Sequence, residues 1–249
     1  ITSQQLKGAG ILNSFEMSGV GSFSNVYSVA FDGTDTYIDL GASSTINNGG
    51  QFSFSFWLKG GPTGQNAGQD FIFSATNASK LNYHWCANLD DFIWRNVNNN
   101  PKILSEGVLD NNWHHILVIF NPNGADQTIR CFTDGANEVN VSTDFRYKQS
   151  STTYTGALRY IGASGGLNRS FDGNLDEIAF WDDDQSANVS AIYNSGQVHD
   201  LNALSSPPIN WYRMGDGDGG TGSTVTDQGT GGINGTLTND AAFEEDVPS

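Results

Sequence analysis

From residue 27 onward, large apolar residues recur at every second position, the period of a strand whose two faces see different surroundings. The clearest case is Phe52-Ser-Phe54-Ser-Phe56, three rings that an extended backbone places on one face. The same pattern predicts strands over 27–31, 36–40, 70–75, 81–88, 92–97, 113–121, 127–133, 157–162 and 174–181. The run His115-Ile-Leu-Val-Ile-Phe120 is apolar on both faces, which predicts a strand in the middle of a two-layer sandwich. One helix is predicted, capped by Ser186, with Val189, Ile192 and Tyr193 at i, i+3 and i+4 and Gly196 as a left-handed end. After Ser205-Ser-Pro-Pro208 the pattern gives a strand over 209–214, a glycine-rich stretch over 215–232 and a short strand at Gly235-Thr-Leu-Thr238. Residues 1–24 have no period: Leu6, Ile11, Leu12, Phe15, Met17 and Phe23 are scattered among Gly and Ser, as in an extended arm that packs onto something else.

Composition sharpens this all-β reading. The 249 residues include 21 Asp, 26 Asn and 30 Gly against 6 Glu, and these three abundant types favour tight turns over helix interiors. A chain of this length buries roughly 70–75 % of its unfolded surface without help from metals or disulfides. The formal charge of −16, with no concentration of Lys or Arg, argues against nucleic acid and against an anionic membrane. The longest clean apolar run, Ile116–Phe120, is five residues where a spanning helix needs about 20, so membrane insertion is not expected. Cys86 and Cys131, 45 residues apart, form no metal or redox motif; two buried thiols and a single disulfide between neighbouring strands both fit.

Three segments carry a resemblance to a known family. Phe31-Asp-Gly-Thr-Asp-Thr-Tyr-Ile-Asp-Leu40 resembles the opening strand pair of concanavalin A-like, LamG and pentraxin-type jelly rolls. Asn112-Trp-His-His-Ile-Leu-Val-Ile-Phe120 resembles their central tryptophan-histidine strand, and Phe171-Asp-Gly-Asn-Leu-Asp-Glu-Ile-Ala-Phe-Trp181 their late strand. The resemblance implies a two-sheet antiparallel jelly-roll sandwich with one short peripheral helix. Trp211-Tyr-Arg-Met-Gly-Asp-Gly-Asp218 and Thr224–Leu237 are similar to the segment that normally opens such a domain, yet here they come last. The expected organisation is therefore an arm over 1–24, a jelly roll over 25–204, and a segment over 205–249 that completes the same sandwich in circularly permuted order. This order also resembles LamG-like proteins of marine tailed phages, which are mostly virion components.

The candidate chemistry is correspondingly sparse. The family's glucanases carry Glu-x-Asp-x-x-Glu on one strand, and this chain lacks that motif. Asp176 and Glu177 are adjacent, and regular alternation sends them to opposite faces, so no enzyme is expected. His114 and His115 lack a nucleophile motif beside them and read as packed structural residues. The resemblance implies a structural calcium, which takes Asp carboxylates and turn carbonyls: Asp176 with Asp227 and carbonyls near 229–234, or Asp32 with Asp35 as a second pair. For a sugar, Tyr83-His-Trp-Cys-Ala-Asn88 and Phe92-Ile-Trp-Arg-Asn96 leave two arrangements open. Either the aromatic residues face the core, with His84 and Arg95 outward, or Trp94 and part of this ribbon line a groove. The expected role is a non-catalytic protein of a virion or extracellular surface that docks to other assembly proteins through its arm and adheres to host glycans. A free-standing lectin-like module that binds a polysaccharide is the alternative.

Overall fold

The computed structural model describes residues 23–42, 51–62, 70–75, 84–95, 101–121, 128–142, 157–165, 167 and 169–249. Most of the predicted arm, and Tyr83, lie outside the described residues. Among the described residues sixteen strands follow one another: β1 (Ser28–Asp32), β2 (Tyr37–Asp39), β3 (Phe52–Lys59), β4 (Asp70–Ala75), β5 (His84–Asn88), β6 (Asp91–Arg95), β7 (Pro101–Ser105), β8 (His114–Asn121), β9 (Thr128–Thr133), β10 (Ala136–Ser142), β11 (Leu158–Ile161), β12 (Asp172–Trp181), β13 (Asn210–Tyr212), β14 (Thr224–Val225), β15 (Gly235–Thr238) and β16 (Ala242–Glu244). An α-helix of five residues, α1 (Val189–Tyr193), lies between β12 and β13, followed by two single turns of 3-10 helix at Asn194–Gly196 and Leu201–Ala203.

The strands form two sheets of eight, one ordered β10-β9-β8-β3-β12-β1-β16 with β13 on the far end of β12, the other β14-β15-β2-β11-β4-β5-β6-β7. Every pairing is antiparallel, for example Phe54 with Val118 and Phe180. The alternating phenylalanines of β3 turn inward as the period requires. Phe54 meets Trp85 at 4.7 Å and Phe73 at 5.4 Å between ring centroids, both edge-on, a geometry that suits aromatic quadrupoles. Trp85, Phe92 and Trp94 lie in this same central cluster. Cys131 sits there too, and Cys86 is buried in a small cluster on the second sheet; the two thiols are not joined to each other.

The first sheet is also covered on its outer face, which explains why β8 is apolar on both sides. Leu117, Ile119, Ala179 and Trp181 point away from the core and are buried by Ile192 of α1, Leu201 and Trp211. The helix differs at its ends from the sequence pattern. Asn188, not Ser186, is its N-cap and makes no side-chain cap bond, while the Ser186 N–H is held by Asp184 at 2.8 Å. Its left-handed C-terminal residue is Asn194, two positions before Gly196. No helix among the described residues is long and apolar enough to cross a membrane.

The last 40 residues belong to both sheets. β13 extends the edge of β12, β16 pairs with β1, and β15 pairs with β2. Trp211 and Tyr212 of β13 are buried, and the Tyr212 hydroxyl donates to the Ile233 carbonyl at 2.6 Å. A chain ending at Ser206 leaves three strand edges unpaired and uncovers the apolar outer face of the first sheet. Such a fragment is expected to show no cooperative melting transition and to aggregate on expression, as read by calorimetry and size-exclusion chromatography.

Candidate functional site

The two carboxylates expected on opposite faces of β12 share one face. The register against β3 slips between Asp176 and Ala179, and Glu177 takes φ +48°, so β12 carries a bulge at this point. Leu175 and Ile178 both point into the core, which leaves Asp176 and Glu177 side by side on the outer face. Asp176 is fully buried and accepts from Asn25 Nδ2 at 2.9 Å and from the Glu177 N–H at 2.8 Å. Burial first, then the neighbouring Glu177, pushes its carboxyl well above the usual carboxylate range. Glu177 accepts from Trp211 Nε1 at 2.6 Å and Arg213 Nε at 3.1 Å, and burial raises it to about 7 against the pull of Arg213. Residues 23–26 close over the pair: Phe23 stacks on Trp211, Arg213 donates to the Ser24 carbonyl, and Asp216 accepts from the Val26 N–H. Thus enclosed, the pair joins parts of the chain rather than facing a substrate.

The expected calcium residues do not form one donor set. Asp227 is ringed by four donors, the N–H groups of Trp211 at 2.8 Å, Gly229 at 2.9 Å and Ile233 at 3.0 Å and the Asn210 side-chain amide at 2.6 Å. Four converging donors satisfy a carboxylate and oppose a cation at the same place. Asp32 likewise turns Oδ1 to the Thr34 N–H at 2.8 Å and the Thr36 hydroxyl at 2.8 Å, closing its own turn, while Asp35 lies exposed in that turn. Among the described residues no group of three or more His, Cys, Asp or Glu is arranged to hold a metal ion. A calcium does not fit these sets.

The aromatic ribbon resolves toward the core. Trp94 is 2 % exposed in the central cluster, so its ring face is not available to a ligand, which corrects the groove reading for this residue. His84 and Arg95 pair directly across the β5–β6 ladder. His114 bridges Asp134 (Nδ1, 2.8 Å) and Asp110 (Nε2, 3.2 Å), while His115 is buried.

An open cleft of ≈ 400 Å³ lies instead where the ends of β1, β3 and β12 meet the start of β4. Two identical triplets build it. Phe31-Asp32-Gly33 and Phe171-Asp172-Gly173 run antiparallel, with Asp32 directly opposite Asp172. Like charges in that position cost stability, and Asp70 adds a third carboxylate, pushed up to about 6 by its burial and then by Asp172. Asn111 and Asn174 contribute amides, and Lys59 is drawn aside to Asp246 at 2.6 Å. Gly173 permits the approach: at φ +146° a Cβ there would sit 2.3 Å from the Lys59 carbonyl oxygen. Sequence patterning misses Asp70, Asp172 and Lys59 as site residues; the repeated Phe-Asp-Gly triplet and the Lys59-Gly-Gly-Pro62 turn are the signals it leaves.

A two-sheet antiparallel sandwich with a polar cleft at its strand ends has the build of a concanavalin A-like fold. Residues 32–188 match the model of the concanavalin A-like lectin/glucanases superfamily, and the chain belongs to that superfamily. Among solved structures it is similar to a candidate carbohydrate-binding protein of Bacteroides ovatus (TM-score 0.61, 15 % identity), over 91 % of this chain and 62 % of that one. The chain thus spans less than two thirds of that neighbour's length. A heptameric SAP-like pentraxin of Limulus polyphemus aligns over 68 % of this chain and 82 % of its own (TM-score 0.51, 16 % identity). The CBM40 of a Ruminococcus gnavus IT-sialidase aligns over 68 % and 99 % (TM-score 0.50, 14 % identity). No curated protein sequence matches the chain. β13–β16 lie beyond the matched family segment, and Asp227 fastens the turn between β14 and β15 to β13. Asp227→Ala, which leaves three backbone donors without their acceptor, is expected to cost about 3 kcal/mol or more of stability, measured by denaturant unfolding. Excess chelator is expected to leave the wild-type melting temperature unchanged.

Proposed function

We propose that this chain is a non-catalytic, lectin-like domain that binds a neutral glycan in the cleft between Asp32, Asp70 and Asp172. The observation that carries the reading is the cleft itself: ≈ 400 Å³ of open space lined by carboxylates, side-chain amides and glycine backbone. Sugar hydroxyls are paired donors and acceptors, and carboxylates and amides are their natural partners. The fold shared with a carbohydrate-binding module supports it. An anionic sugar is disfavoured, since a ligand carboxylate held about 5 Å from each of these aspartates meets about 3 kcal/mol of repulsion per pair at an effective dielectric of 20. Display on a virion or another extracellular surface belongs to the same proposal: the strongly acidic body keeps neighbouring copies apart, and the apolar residues Leu6, Ile11, Leu12 and Phe15 in the sequence before Phe23 suit an anchor. On a glycan array the protein is expected to retain neutral oligosaccharides over sialylated ones. Asp172→Asn and Asn111→Ala are each expected to weaken retention by about 10-fold or more, the loss of one hydrogen bond to a charged or well-aligned group. Equal retention by both variants would place the binding elsewhere and reject the cleft.

A further inference from the structure

The cleft holds a positive charge that its carboxylates do not engage. Among the described residues that line it, Lys59 alone is cationic, against Asp32, Asp70 and Asp172. Lys59 ends β3 and lies opposite Asn174 in the β3–β12 ladder, so Asp172, two residues along β12, is its diagonal neighbour and within reach of a long side chain. Attraction to three carboxylates favours that contact. The Lys59 ammonium instead meets Asp246 at 2.6 Å, a residue 187 positions away in the chain.

The carboxylate that draws the lysine off is itself fixed. Asp246 lies two residues beyond β16, and its Oδ1 accepts from the Trp113 indole Nε1 at 3.0 Å while Oδ2 takes the lysine. Partial burial works against its charge, and the Lys59 and Trp113 bonds outweigh that, holding this carboxyl below the usual carboxylate range. Within the cleft, burial and then Asp172 push Asp70 up to about 6, and the opposing pull comes from Arg169.

We propose that Asp246 is a specificity-determining residue of the cleft: it holds Lys59 away from the aspartates, so that their oxygens stay open to sugar hydroxyls and their charge excludes anionic sugars. The inference rests on the glycan reading above for its ligand, but not for the placement of Lys59. With Asp246 removed, the ammonium turns to Asp172, takes up an acceptor that a hydroxyl needs and neutralises part of the field that repels a ligand carboxylate. The two effects have opposite signs, a loss for neutral glycans and a gain for anionic ones. A residue that only stabilised the end of the chain would move both in one direction.

Two measurements on the whole chain test this. In the free protein, the side-chain carboxyl ¹³C shift of Asp70 is followed against pH. In Asp246→Ala and in the isosteric Asp246→Asn its midpoint is expected to fall from about 6 to about 5 or below, because a cation entering beside Asp172 offsets one of the charges that raise it. Adding Lys59→Met, which keeps the aliphatic stem without the charge, is expected to return the midpoint to the wild-type value. On the glycan array, Asp246→Ala is expected to lose about 10-fold in retention of neutral oligosaccharides, while the preference for them over sialylated ones narrows by about 10-fold or more. A midpoint that stays at the wild-type value in both variants overturns the proposal, as does a fall that Lys59→Met does not reverse. Equal losses of neutral and sialylated ligands overturn it too. A wild type that retains no glycan rejects the glycan reading and the selectivity drawn from it, while the Asp70 midpoint, measured without ligand, still decides whether Asp246 restrains Lys59.

Discussion

The arrangement depends on one strand having to serve two partners along a single edge. β12 pairs with β3 along one side, but on the other side Asp172–Leu175 meet β1 and Ile178–Phe180 meet β13, which comes from a much later part of the chain. The bulge at Asp176 and Glu177 lies where the neighbour changes. A regular strand would bury one of these carboxylates in the aromatic core, an uncompensated charge in a dry interior. The extra residue sends both outward, where a guanidinium, an indole N–H and an amide complete their hydrogen bonds. The same groups bind residues 23–26 and 211–216 to the sheet, so the bulge fixes where the chain enters the sandwich and where its last strands join.

Much of the fold is legible along the chain because its signals are local. The alternation in β3, the two-sided apolar run in β8 and the turn-rich composition each follow from the environment of single strands. β7, β10, β14 and β16 escape that reading. Each lies at or beside a sheet edge, short or mostly polar, and is held as a strand by its neighbour's backbone more than by its own side chains. The helix ends escape it for a related reason: Tyr193, just before the left-handed Asn194, seats on Trp57, a contact between residues 136 positions apart that local spacing does not register.

The candidate site is less legible, since it arises from pairings rather than from spacing. Asp70, Asp172 and Asp32 come from three separate strands, and only the β1–β12 register puts the two Phe-Asp-Gly triplets face to face. Asp227 illustrates the opposite error. Its place in an acidic, glycine-rich turn suggests a cation ligand, whereas in the fold backbone N–H groups take the positions that a cation would need. The bulge defeats the alternation rule at the one dipeptide where the rule was used to judge catalysis.

The dependence of β1, β2 and β12 on partners from the last quarter of the chain has a consequence for biosynthesis. While the polypeptide is still being made, these three strands have no finished edge, and the sandwich cannot close until residues up to Glu244 have left the ribosome. Long-range pairing of this kind forms slowly and leaves half-built sheets open to association with one another. The density of aspartate in the turns then acts before the native state exists: each nascent copy carries strong negative charge alongside its open edges, which keeps neighbouring copies on the same message apart until the tail arrives.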